Sequence, residues 1–245
     1  DVGSVVDEPV LAIIPRSAEI SRSRYTETPD HKVEEALRKL RTNLRYTNID
    51  KGLRSFIVSS AMQGDGKSTV SANLARVMAL SGLDVILVEG DLRRPTMNST
   101  FHIDPHHPGL SHLLVGAASL ESVLVTSPVP GLQIIPAGDI PPNPSELLGS
   151  TRMSDLLSYL ASDHVVIVDA PPVLPVTDAV ALAEHTDGVL LVIRSGSTTE
   201  DQLRQAAASI RQGGGTVLGI ALNQVPSSAF DRLRYGETVY GYAAA

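Results

Sequence analysis

The stretch Phe56-Ile-Val-Ser-Ser-Ala-Met-Gln-Gly-Asp-Gly-Lys-Ser-Thr69 decides the fold. A short apolar run enters a glycine-bearing loop, the loop closes on Gly66-Lys67-Ser68-Thr69, and an alanine-rich amphipathic segment follows. Strand, loop and helix therefore stand in the order a phosphate-binding P-loop requires. A triphosphate packs negative charge into a small volume, so the loop must turn its N–H groups inward at a helix N-terminus, where the dipole also favours anions. Gly64 and Gly66 permit that approach, and Asp65 and Thr69 are counted with them as nucleotide-binding positions. Lys67 can reach the outer phosphates as a point charge, while the Ser68 hydroxyl is placed to ligate the magnesium that accompanies the nucleotide. Ala61 stands where the commonest pattern has its first glycine, a small-for-small exchange. The competing reading, a glycine-rich turn before an ordinary helix, does not explain the Lys-Ser-Thr register.

Two further strands end in acids. Asp84-Val-Ile-Leu-Val-Glu-Gly-Asp-Leu-Arg-Arg-Pro95 contains four consecutive apolar residues, the mark of a strand buried on both faces, and then Glu89 and Asp91 two apart. His164-Val-Val-Ile-Val-Asp-Ala-Pro-Pro172 is a second such strand, ending in Asp169 in the manner of a Walker B carboxylate that orders a magnesium shell. In doubly wound sheets ligands lie outside the carboxyl ends of the strands, so these acids are expected beside the P-loop. Asp91 and Asp169 are thus candidate metal positions with Ser68. Asn223, at the end of the last apolar run, is a candidate for adenine recognition through its amide.

The remaining segments fill in the architecture. Pro9 to Pro15 reads as a brief strand, Gly188–Arg194 and Thr216–Leu222 as buried strands, and Thr199–Arg211 as a helix between them. Leu132-Gln-Ile-Ile looks like a strand, Gly109-Leu-Ser-His-Leu-Leu begins a short helix, and Pro141-Pro-Asn-Pro-Ser-Glu-Leu-Leu is a loop running into a helix. Strands alternating with helices give an α/β fold, a P-loop NTPase with a doubly wound, mostly parallel sheet and helices on both faces. From Pro29, Val33, Leu37, Leu40 and Leu44 form one helical stripe, with Glu35, Arg38 and Arg41 recurring every third residue beside it. That charged series reads either as a subunit contact or as surface charge supporting the helix. His102, His106, His107 and His112 cluster in sequence, but without the carboxylate-backed spacing of a metal motif.

Composition excludes several classes. The 245 residues, 42% apolar, suffice for one substantial core, and the absence of Cys removes disulfides and thiolate metal sites. No apolar run approaches the ~18 to 20 residues that cross a bilayer, and Asp1-Val-Gly-Ser lacks the basic start of a signal peptide, so the chain is expected to be soluble. Lacking an initiator Met, it also reads as a piece excised from something longer. A net charge of −7 argues against a general nucleic-acid binder. Residues 16 to 54 nevertheless hold ten Lys and Arg against six acids, +4 there and −11 elsewhere, an arm suited to an anionic membrane face or simply a solvated helix. Tyr235, Tyr240 and Tyr242 fall in the last eleven residues of a chain with six Tyr. They suit accessible phosphate acceptors, or packing against another subunit.

In order along the chain, these motifs resemble those of the bacterial tyrosine kinases of capsule and exopolysaccharide synthesis. Glu35-Ala-Leu-Arg38-Lys-Leu-Arg41 is similar to that family's oligomerisation helix, Ala61–Thr69 to its Walker A loop, Val88–Pro95 to its Walker A′ motif and Val166–Asp178 to its Walker B segment. Gly109-Leu-Ser and Pro141–Leu148 resemble its linking signatures, and the terminal tyrosines its tyrosine cluster. The resemblance implies phosphorylation of Tyr235, Tyr240 and Tyr242 by ATP and Mg2+, in trans within a ring built through Glu35, Arg38 and Arg41. It implies a membrane polysaccharide co-polymerase module, fused or separate, a phosphotyrosine phosphatase as a further partner, and a position at the inner face of the cell membrane. The expected boundaries are a linker over 1–28, a kinase domain over 29–225 with its oligomerisation helix at 29–47, and a tail over 226–245. Catalysis would rest on Lys67, Asp91, Glu89 and Asp169. The family's Walker A′ usually has Asp at both acidic positions, whereas this chain has Glu89 first; Asp91 is assigned as base, with Glu89 sharing the metal shell or the base role. Two rival readings share the motifs: an ATPase switch resembling the partitioning and septum-site ATPases, whose extra lysine is replaced here by Met62, and a non-catalytic ATP-binding regulator of a polysaccharide exporter.

Overall fold

In the computed structural model the described residues are 6–18, 25, 29–47 and 52–230. Eight strands form one sheet: β1 (Val10–Pro15), β2 (Ser55–Ser60), β3 (Val85–Glu89), β4 (Val125–Thr126), β5 (Leu132–Ile135), β6 (Val165–Asp169), β7 (Val189–Arg194) and β8 (Val217–Val225). The spatial order is β1-β8-β7-β2-β6-β3-β5-β4, parallel throughout except for the antiparallel edge pair β4 and β5. Nine helices are described: α1 (His31–Tyr46), α2 (Lys67–Ala79), α3 (Met97–Thr100), α4 (Leu110–Val115), α5 (Leu120–Val123), α6 (Pro144–Leu148), α7 (Thr151–Leu160), α8 (Asp178–Ala183) and α9 (Glu200–Gln212).

Alternation along the central strands builds two cores. Val85 and Leu87 of β3, with Val165 and Ile167 of β6, face a core shared with α1 and α2. Ile86 and Val88, with Val166 and Val168, face the opposite core, closed by α4, α7, α8 and α9. Continuous Val, Ile and Leu runs are thus the signature of strands covered on both sides, and the doubly wound sheet with helices on both faces is present as expected. The α1 stripe is also as expected: Val33, Leu37, Leu40 and Leu44 are buried, and Asp30 caps the helix by accepting from the Lys32 N–H at 2.8 Å.

Segments on either side of the expected domain 29–225 pack on it. The strand within the expected linker 1–28 belongs to the domain, because β1 pairs in parallel with β8 and buries Leu11, Ala12 and Ile14. At the other end, Phe230 lies beyond the expected boundary at 225 yet is buried, with the Lys32 ammonium 5.8 Å from its ring centre.

Candidate nucleotide site

The P-loop leaves β2 and is braced from three sides. The Asp65 carboxylate accepts from the Met62 N–H at 3.1 Å and the Thr198 hydroxyl at 2.9 Å, while the Asn223 amide donates to the Asp65 carbonyl at 2.9 Å. Gly66 has φ +95°, and a Cβ there would stand 2.2 Å from the Asn223 amide nitrogen, so both backbone and space require glycine. Asp65, read as a nucleotide contact, directs its carboxylate into the protein, where burial pushes its pKa up against the Met62 and Thr198 hydrogen bonds. The Asn223 side chain lies beside the loop with its amide nitrogen engaged there.

Sheet register then gathers the charges. Glu89 of β3 and Asp169 of β6 are paired positions, so the two strands end together beside the P-loop at the end of β2. Lys67 Nζ lies 2.9 Å from Asp91 and 3.6 Å from Asp169, and donates to the Ser68 hydroxyl at 3.2 Å. Burial acts to lower the Lys67 pKa, but Asp169 and Asp91 outweigh it and the net direction is upward, which keeps the ammonium charged. Asp169 is fully buried and faces the Lys67 ammonium and the Ser68 hydroxyl. Burial raises its pKa and the Lys67 charge opposes that rise. The buried Asp169 oxygens, the Ser68 hydroxyl and Asp91 form the hard, oxygen-rich donor set that suits magnesium.

Glu89 differs from its neighbours. One carboxylate oxygen accepts from the Thr96 and Met97 N–H groups, the latter at 2.8 Å, and the other accepts from the Ala137 N–H at 3.1 Å. Burial nevertheless pushes its pKa up to about 7, opposed by the Thr96 and Met97 hydrogen bonds. The next turn is tied separately: Asp91 accepts from the Arg94 N–H at 3.1 Å, Arg93 pairs with buried Asp178 through contacts of 2.8 and 3.0 Å, and Ser145 also donates to Asp178. Of the two arginines, Arg94 borders the nucleotide cavity. That cavity, about 610 Å³, is lined by the P-loop, Asp91 and Arg94 on one side and by Ile14 and Leu37 on another.

On α1, Glu35 and Arg38 are exposed, with 44% and 63% of their side-chain surface accessible. Arg41 instead donates to the Val77 carbonyl of α2 at 3.3 Å, and Glu34, which pairs with Arg38 one turn on at 3.3 Å as its i,i+4 spacing leads one to expect, also pairs with buried Arg76 of α2. Arg93–Asp178 and Glu34–Arg76 escaped the sequence reading because each joins positions far apart in the chain. His112 contacts Asp139 at 3.2 Å, and among the described residues no group of three or more His, Asp or Glu is arranged to hold a metal. Tyr235, Tyr240 and Tyr242 lie outside the described residues.

A braced P-loop, its lysine between two strand-end carboxylates and a parallel α/β sheet define a P-loop nucleotide-binding protein. Residues 55–213 match the family model described as an AAA domain. The chain is 38% identical over 190 residues to the tyrosine-protein kinase YwqD of Bacillus subtilis, covering 77% of this chain and 80% of that protein. It superposes on the kinase domain of the Escherichia coli tyrosine kinase ETK with a TM-score of 0.84 at 30% identity, covering 93% and 94% of the two chains. This chain belongs to the bacterial tyrosine-kinase family. The putative tyrosine-protein kinase EpsB of Ralstonia nicotianae is 37% identical over 225 residues, and the match spans 30% of that longer protein. The cell-division ATPase MinD of Pyrococcus furiosus, at 21% identity and a TM-score of 0.59, shares the fold. Among the described residues no helix is long and apolar enough to cross a membrane.

Proposed function

We propose that this chain is an ATP-dependent protein-tyrosine kinase that phosphorylates the tail tyrosines Tyr235, Tyr240 and Tyr242 of a neighbouring copy. The observation that carries the reading is the Lys67–Asp91 pair at the wall of the nucleotide cavity, with buried Asp169 3.6 Å from the same ammonium. Lys67 and the P-loop N–H groups receive the β- and γ-phosphates, and the Arg94 side chain supplies a further positive group. Ser68 and Asp169, with Asp91, would hold Mg2+, which when bound offsets charge on the transferring phosphoryl group. Asp91 takes the proton from the incoming phenol; the phenol oxygen bonds to the γ-phosphorus, the bond to the β–γ bridging oxygen breaks, and ADP departs with that electron pair.

Glu35 and Arg38 are accessible for a contact between copies, and Arg41 supports the helix that carries them. Each phosphate adds roughly −1.5 to −2 charge, which favours withdrawal of the tail from an acidic site and disassembly of the ring. A membrane polysaccharide co-polymerase module would hold the kinase at the inner membrane face, and a phosphatase would reset the tail. Incubation with γ-labelled ATP and magnesium tests the reading: label is expected on tail tyrosine, reduced at least ~10²-fold in Lys67→Met. Release of label only as inorganic phosphate would identify an ATPase switch instead, and tight ATP binding with neither outcome a non-catalytic regulator.

A further inference from the structure

We infer that Glu89 is a positioning residue, neither base nor metal ligand, whose carboxylate fastens the 91–97 turn to the end of β5 and so fixes where Asp91 meets Lys67. This assignment builds on the kinase reading above.

Three backbone donors converge on the Glu89 carboxylate from two segments distant in sequence. Thr96 and Met97 belong to the turn that follows Asp91 and starts α3, whereas Ala137 follows β5. The Ala137 segment is itself gripped from the other side: the Leu110 N–H donates to the Pro136 carbonyl at 2.7 Å and the Ser111 N–H to the Ala137 carbonyl at 2.9 Å. Gly109 allows that grip, since a Cβ there would stand 2.2 Å from both the Pro136 carbonyl and the Gly138 nitrogen. Glu89 thus connects the Gly109-Leu-Ser segment with the acidic turn.

The contrast with Asp169 fixes the roles. Both acids are fully buried at paired strand positions, but Asp169 faces the side chains of Lys67, at 3.6 Å, and Ser68, while both Glu89 oxygens are occupied by backbone N–H groups. To serve as base or metal ligand Glu89 would have to release the buried Met97 and Ala137 N–H groups, leaving them unsatisfied, whereas the groups that hold Asp91, the Lys67 ammonium and the Arg94 N–H, belong to residues lining the cavity. Reach explains the residue type as well. An Asp at this position would be shorter by one methylene, ~1.5 Å, and could not hold both segments in this arrangement.

Amide hydrogen exchange and single-turnover phosphotransfer test this separately. In the wild-type protein without nucleotide, the Thr96, Met97 and Ala137 amides should exchange at least ~10-fold more slowly than the same amides in an unfolded chain; unprotected rates would overturn the brace, and this measurement stands whether or not the chain proves to be a kinase. Glu89→Gln should speed exchange at these amides and lower phosphotransfer ~10- to 100-fold, with the acid limb of the pH–rate profile retained. Glu89→Asp, which keeps an acid, should also be slowed. Loss of the acid limb in Glu89→Gln or wild-type speed in Glu89→Asp would each overturn the assignment. Absence of transfer in the wild type with amide protection intact would count against the kinase reading and leave the brace standing.

Discussion

A carboxylate with no exposed surface, as at Asp169, carries a desolvation cost that Lys67 at 3.6 Å and the Ser68 hydroxyl only partly offset. Replacing it with neutral Asn keeps the shape and leaves Lys67 paired with Asp91 at 2.9 Å. Asp169→Asn is therefore expected to raise the melting temperature of the nucleotide-free protein by ~2–4 °C, equivalent to about 1 kcal/mol, while abolishing magnesium-dependent tightening of nucleotide binding. Thermal melts with and without Mg-ADP check both halves, and a lower melting temperature without nucleotide would refute the stability half. At Gly66 the constraint is steric instead: its positive φ and the Asn223 amide, 2.2 Å from where a Cβ would stand, leave no room for a side chain.

At the scale of the element, α1 shows what periodicity reveals and what it leaves out. Steps of four and three were enough to place Val33, Leu37, Leu40 and Leu44 against the core. A charge repeated every third residue moves about 60° around a helix at each step, so Arg41 lies roughly 120° from Glu35 and turns towards α2 while Glu35 and Arg38 remain outside. Glu34 ties the same helix to the P-loop helix through Arg76, which is 3% exposed. Glu34→Gln weakens that buried pair and is expected to cost about 2–3 kcal/mol, a fall of ~5–10 °C in melting temperature. Glu35→Ala, on the outer face, should stay within about 0.5 kcal/mol of wild type yet lower the sedimentation coefficient of any assembly the protein forms. A large thermal loss in Glu35→Ala, with sedimentation unchanged, would place that residue in the fold instead of the contact between copies.

Across the whole molecule, the strand-end acids were legible because parallel strands deliver their carboxyl ends to one edge of the sheet, so Asp91, Asp169 and the P-loop had to meet. Strand order was not: nothing local in Pro9–Pro15 says that its partner is β8, more than two hundred residues away. The same limit hid Arg93–Asp178, whose partners each made sense within their own motifs. The consequence concerns where the functional unit begins. β1 buries Leu11 and Ile14, its Leu11 carbonyl accepts from Asn43 of α1 at 2.7 Å, and Ile14 and Pro15 border the nucleotide cavity. At ~1.5–3 kcal/mol for each large aliphatic side chain, removing residues 1–15 should cost about 3–6 kcal/mol, a large share of the ~5–15 kcal/mol that holds a typical domain together. It also uncovers the β8 edge, a template for aggregation. The shortened protein is therefore expected to melt at least ~6 °C lower and to bind Mg-ATP more weakly, whereas removal of residues 231–245 should leave both properties near wild type. Melting and nucleotide titration of the two truncations decide the point. Equal stability and affinity in the protein lacking residues 1–15 would mean that the first strand is a tether after all, and that the domain starts at α1.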